Sequence, residues 1–202
     1  MEVIAGKLRL SENHPDGQTG YVSQLITHPH FKYVSRTINQ STNDLALLEL
    51  HDALIFTSAV KPIKLPNYGQ KFVGDVLLTG WGHVKLRPKP VYATTLQVLR
   101  MPLISKKECK RLLDTYPVHP HVLSQSEICT LPYGLNQNAC TGDSGGPLIQ
   151  DRILVGITSW GEENCGQNLT RRAPNVFTEV SEYVTFIKKY TGKQTRSNDF
   201  CK

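Results

Sequence analysis

The stretch "ACTGDSGGPL", Ala139 to Leu148, sets a serine between an acid and a run of glycines. A hydroxyl is a weak nucleophile unless a base removes its proton, and the anion formed by its attack needs N–H donors aimed at it. The glycines at 142, 145 and 146 permit a tight turn in which backbone N–H groups converge and no side chain obstructs an approaching carbonyl. Gly-Asp-Ser-Gly suits a plain surface turn equally well. What surrounds it decides between the two.

Outward from the motif, short β-type runs recur between Gly, Pro and Asn punctuation. They are Tyr21–Ile26, Leu45–Leu50, Val76–Gly80, Leu96–Met101, Ile153–Trp160 and Asn175–Val180, and this spacing predicts an all-β barrel or sandwich. Two helices are expected. Ser105–Leu113 opens on a serine cap, and Ser181–Tyr190 carries Tyr183, Val184, Ile187 and Tyr190 at helical spacing with Gly192 as its stop. Leu50–Phe72, with irregular apolar spacing, reads as a connection, and Lys193–Lys202 as a polar tail.

Composition narrows the function. With 202 residues, 39% hydrophobic and 20% charged, the chain can bury a real core. Its formal charge of +6 comes from 23 basic and 17 acidic side chains. The basic residues stand in scattered pairs such as Lys106-Lys107 and Arg171-Arg172, without interleaved aromatics, so no nucleic acid partner is expected. No apolar run approaches the ~20 residues that span a bilayer, so no membrane partner is expected either. The opening "MEVIAGKLRL" lacks a signal peptide's basic end and apolar core. The cysteines are Cys109, Cys129, Cys140, Cys165 and Cys201, an odd number without zinc-type spacing. Asn39 and Asn168 head glycosylation sequons.

Three further motifs settle the reading of the serine. "NDLALL" (Asn43–Leu48) and "LTGWG" (Leu78–Gly82) precede it, and "SWG" (Ser159–Gly161) follows. Together the set resembles the chymotrypsin and trypsin family of serine endopeptidases, from about Val3 to Tyr190. The resemblance implies two antiparallel Greek-key β-barrels with a C-terminal helix, and acyl-enzyme hydrolysis of peptide bonds. It implies a protease domain over 1–192, with a partial first barrel and connection over 1–65 and the second barrel and helix over 66–192, then the tail 193–202. It makes Ser144 the nucleophile and Asp44 the acid that orients a catalytic imidazole, with the N–H groups of Gly142 and Ser144 as oxyanion hole. Asp143 becomes the acid that pairs with an activating amino terminus, and without that amine its loop is expected to be poorly ordered. Ser159, Trp160 and Gly161 become the edge that binds substrate backbone. Cys109 is expected to bridge Cys129, and Cys140 to bridge Cys165, leaving Cys201 free or intermolecular. Polypeptide substrates and protein protease inhibitors are the implied partners of a monomeric, secreted enzyme.

The general base is missing from this pattern. The family's order is His, Asp, Ser. Of the histidines before Asp44, His14 sits in a turn-rich loop and His28 and His30 in "ITHPHF", none in the family's Ala-Ala-His-Cys setting. The chain therefore reads as a family member represented without its N-terminal part and inactive as it stands, or as a noncatalytic homologue that binds peptides. No cofactor and no metal are expected. Lys7 and Gly17 fall where calcium-binding relatives carry carboxylates, and Glu12 and Asp16 alone supply too few oxygens. In the specificity pocket the resemblance makes Asn138 the floor, Ala139 its neighbour and Asn175 the far wall. A neutral floor narrowed by Asn175 favours Leu, Met or a shallowly seated aromatic over Arg and Lys. Alternatively Asn138 and Asn175 bond each other and leave a broad pocket.

Overall fold

Along Asp75–Gly80 the pleat sorts side chains by turns: Val76 and Leu78 face inward at 1% and 3% exposure, while Leu77 between them stands 42% exposed. This pattern builds the larger half of the molecule. The structure is a computed structural model. It describes all residues except 13, 14, 16, 36–39, 87, 116–121, 136, 163, 164, 166–170 and 193–202. Both sequon asparagines, Asn39 and Asn168, with Cys201, His14, His119, His121, Asp16 and the polar tail, lie outside the described residues.

The first half contains β1 (Glu2–Ala5), β2 (Gln18–Thr27), β3 (Lys32–Ser35), β4 (Gln40–Thr42) and β5 (Ala46–Leu50). Strands β1, β2 and β5 form one antiparallel sheet in that order, and β3 pairs with β4 in a separate ribbon. Among the described residues this half does not close. Its faces leave Ile4, Tyr21 and Leu25 more than half exposed.

The second half does close. Its strands are β6 (Asp75–Gly80), β7 (His83–Lys85), β8 (Val91–Tyr92), β9 (Gln97–Ile104), β10 (Glu127–Thr130), β11 (Pro147–Gln150), β12 (Ile153–Gly161) and β13 (Asn175–Glu179). Six of them make a closed antiparallel barrel in the order β10, β13, β12, β11, β6, β9, with β7 and β8 as a separate hairpin. Val76, Leu78, Met101, Leu148 and Phe177 fill the barrel. Helix α1 (Lys106–Leu113) starts where Ser105 Oγ accepts the Glu108 N–H. It buries Cys109 and Leu113 against Cys129, Trp160 and Val176. Both expected disulfides are present, Cys109–Cys129 and Cys140–Cys165.

The C-terminal helix departs from its expected form in detail. Val180–Tyr183 is a 3₁₀ turn, and only Val184–Thr191 is α-helical (α2). The tighter turn buries Val180 and Tyr183 together, where they meet Leu45 and Ile187 between the two halves. Gly192 ends the helix with φ −77°, so it is not a left-handed cap. Leu50–Phe72 is irregular as expected, clipped to β12 by Leu154 N–H donating to the Lys64 carbonyl.

Candidate active site

Asp44 stands where the halves meet. Asn43 before it takes a left-handed backbone, φ +51°, which asparagine tolerates better than most residues. Its side chain secures that turn by donating to the His30 carbonyl and accepting from the Tyr183 hydroxyl at 3.0 Å. Asp44 is thereby turned toward the barrel. Its Oδ2 accepts from Ser41 Oγ at 2.9 Å and Ser159 Oγ at 2.7 Å, and its carbonyl accepts from Thr178 Oγ1 at 2.8 Å. Three hydroxyls, from β4, β12 and β13, hold the acid.

A register shift in β12 makes the Ser159 contact. Thr158 pairs with Phe177 and Trp160 with Val176, so Ser159 is the extra residue of a bulge and escapes the ladder. The loop bearing Ser144 is tied to the same strand. Gly145 N–H donates to the Thr158 carbonyl, and Thr158 N–H and Oγ1 both donate to the Gly146 carbonyl. Ser144 itself is exposed on the rim.

The N–H groups of Gly142 and Ser144 make no hydrogen bond among the described residues, so both are available to an anion. Gly142 must be glycine. Its φ is +99°, and a Cβ there would come 2.9 Å from the Tyr92 ring. Asp143 points the other way, accepting from Gly82 N–H at 2.8 Å and Cys140 N–H at 2.9 Å. These two backbone donors are its hydrogen-bond partners, and the loop around it is built of consecutive turns. Asp143 N–H donates to the Cys140 carbonyl and Gly146 N–H to that of Asp143.

Two cavities flank this loop. One, of about 330 Å³, is lined by Ser144 together with Ala139, Ser159, Trp160, Gly161 and Asn175, the expected substrate-binding residues other than Asn138. Asn138 lines the second, of about 190 Å³, together with His83 and Asp143. The Cys140–Cys165 bridge borders both. Asn175 is the inner wall of the first cavity, 2% exposed. Its Oδ1 accepts the Ala139 N–H at 3.1 Å and its Nδ2 donates to Asn138 Oδ1 at 3.3 Å. The mutual bond weighed as an alternative is therefore present, and Asn138 reaches the pocket through Asn175.

Among the described residues no imidazole bonds Ser144 or Asp44. His28 packs on Tyr183 and Phe186, His51 lies beside Asp52, and His83 stacks on Tyr92 with both ring nitrogens buried. No cluster that would hold a metal ion occurs among the described residues. No described helix is long and apolar enough to cross a membrane. Sequence reasoning missed Ser41, Thr178, Tyr92 and the buried Glu127, which accepts the Trp160 indole N–H at 2.8 Å.

Comparison with known proteins agrees with this geometry. The family model described as Trypsin matches residues 1–187. Kallikrein-1 of Mus musculus is 32% identical over 194 residues, covering 93% of this chain and 70% of the relative. Trypsin-1 of Astacus astacus is 36% identical over 193 residues, covering 93% and 74%. The solved structure of neuropsin, a serine protease expressed in the limbic system of mouse brain, superposes with a TM-score of 0.77 at 30% identity, covering 93% of this chain and 78% of that one.

Proposed function

This chain belongs to the trypsin family of serine proteases, and we propose that its cleft holds an extended polypeptide with an uncharged, medium to large side chain in the pocket beside Ser144. One observation carries the proposal: Ser144 stands on the rim of a pocket whose inner wall is the neutral Asn175 and whose side is β12. Peptide backbone would pair with the β12 edge at Ser159–Gly161. A cation driven to the inner wall would meet an amide already bonded to Ala139 and Asn138, and stranding a charge there is costly. Glu162, also on the lining, already has an interaction partner.

The reaction this site is shaped for is acyl transfer. Ser144 Oγ attacks the carbonyl carbon, the carbonyl oxygen becomes an anion facing the N–H groups of Gly142 and Ser144, and the hydroxyl proton goes to a base. Asp44 is the group that would orient an imidazole and offset its positive charge. No histidine stands there among the described residues, and the reading put to the test below is peptide binding without turnover that depends on Ser144. Paired disulfides fit an oxidising, extracellular setting, and protein inhibitors presenting a strand to β12 would be natural partners.

The test is hydrolysis and binding of matched peptide amides and esters ending in Leu or Arg. The expected result is saturable binding that favours Leu by about 10-fold or more, with no turnover that depends on Ser144. Ester hydrolysis abolished by Ser144→Ala would show that another base serves, and tighter binding of the Arg peptide would sink the pocket assignment.

A further inference from the structure

We propose that Glu127 is a positioning residue of the substrate pocket: its carboxylate accepts the indole N–H of Trp160 and so fixes the ring that walls the pocket. This rests on the reading of the cleft as a peptide site. Glu127 lies on β10 and is 3% exposed, a rare place for an acid without a salt bridge, and among the described residues it has none. Its oxygens instead meet two N–H donors. Oε1 accepts from Trp160 Nε1 at 2.8 Å, and Oε2 accepts from Ser124 N at 2.6 Å.

The match is chemical as well as geometric. An ionised carboxylate has only acceptors, enough for both donors, whereas an amide or a protonated acid presents one good acceptor to the two. The apolar side of Trp160 packs on Cys109, Cys129 and Val176, contacts without directional preference. The bond from its N–H to Glu127 gives the indole a directional anchor that those contacts lack. Beside it, Ser159 is held by Asp44, so consecutive residues of β12 are anchored to two different carboxylates.

Burial pushes the Glu127 carboxyl above its ordinary range, and the Trp160 and Ser124 bonds and the positive Lys106 pull it back in part. The charge of Asp44 raises it further. Among the described residues, Glu179 is paired with Lys71 and approached by Lys106, and the Tyr183 hydroxyl is bonded to the Ser126 and Asn43 side chains. Acidification thus protonates Glu127 at a higher pH than an ordinary glutamate and leaves one strong acceptor for two donors.

The experiment uses the full chain with Trp81→Phe, so that Trp160 is the only indole. Its N–H resonance and the affinity of an acetylated tripeptide amide ending in Leu are followed from pH 7.5 to 4.5. Acidification should move the resonance, with a midpoint above the ordinary glutamate value of about 4.3, and weaken binding about fivefold in the same window. Glu127→Gln should hold the resonance and the affinity at their acid values throughout, and Trp160→Phe, which keeps a ring but lacks the donor, should bind independently of pH. A resonance that does not titrate, or a Gln variant with wild-type resonance and affinity at pH 7.5, overturns the proposal. If Glu127→Gln does not fold, the wild-type titration and Trp160→Phe decide it. Should the peptide bind none of these proteins while the resonance titrates, the peptide reading of the cleft fails and the hold of Glu127 on the ring stands.

Discussion

Replacing Asn175 by alanine tests how the pocket wall is built. The side chain is 2% exposed and hydrogen-bonds Ala139 and Asn138, with longer approaches to Thr130 and Met101. Removing Oδ1 leaves the Ala139 N–H without its acceptor at 3.1 Å, a loss of ~1–3 kcal/mol for a buried donor. Removing Nδ2 ends the bond to Asn138 Oδ1 at 3.3 Å and weaker approaches to Thr130 Oγ1 and Met101 Sδ at 3.4 and 3.5 Å. Those acceptors lose one ordinary hydrogen bond between them, ~0.5–1.5 kcal/mol. The vacated space adjoins an open pocket, so water can re-satisfy part of the loss, and the expected cost is about 2 kcal/mol. Urea unfolding followed by Trp160 fluorescence in Trp81→Phe protein should show the midpoint falling by about 1 M at an m-value near 2 kcal/mol/M. Asn138→Ala removes one acceptor of the Asn175 amide at a half-buried position and should cost less than Asn175→Ala, about 0.5–1 kcal/mol. Peptide preference should move from Leu toward Phe as the wall recedes. A midpoint unchanged by Asn175→Ala, or an equal loss from Asn138→Ala, would refute this account of the wall.

Three more perturbations have definite expectations. The disulfides close loops of 20 and 25 residues, so chain entropy assigns nearly equal stabilisation, ~3.3 kcal/mol to Cys109–Cys129 and ~3.5 kcal/mol to Cys140–Cys165. Double alanine variants compared in urea should be similarly destabilised, yet only loss of Cys140–Cys165 should abolish peptide binding. Burial, and then the neighbouring His30, hold the His28 imidazole below its ordinary pKa of 6.5, so the folded chain binds that proton less readily than the unfolded chain. Its contribution is intact above that value and is lost as pH falls below it. Melting temperatures should drop between about pH 7 and 5 in wild type and less in His28→Phe, and equal slopes would contradict the assignment. Finally, Ile55 and Phe56 stand 73% and 67% exposed beside the open sheet, and Ile55→Ser with Phe56→Ser should cut hydrophobic-dye binding without lowering the melting temperature. Unchanged dye fluorescence would place the sticky surface elsewhere.

What the sequence disclosed depended on how local the signal was. Ser144 and its glycines are legible because one turn needs them all within five residues, and "NDLALL" and "SWG" because each occupies one strand edge. Strands β10 and β11 escaped notice for the opposite reason. Ile128 is the single aliphatic side chain of its four-residue strand and β11 opens on Pro147, so partners across the barrel supply their stability. Glu127 gave no hint of burial, since the indole and the Ser124 N–H that justify it come together only in the folded barrel. Asn138 is expected at the pocket floor, and that its Oδ1 accepts from the Asn175 amide is a contact sequence order does not reveal. Tyr92, which packs beneath Gly142, is equally silent, lying fifty residues before the loop it supports.

The position of Asp44 also has a consequence in time. The barrel from β6 onward closes on itself and carries both disulfides, so it contains everything needed to mature early. Asp44 belongs to the open half, and two of its three clamps, Ser159 and Thr178, lie across the junction. A folding chain therefore acquires its pocket first and its orienting acid last, when the long-range docking step is complete. The placing of Asp44 in this architecture is thus a property of the docked halves together and of neither half alone.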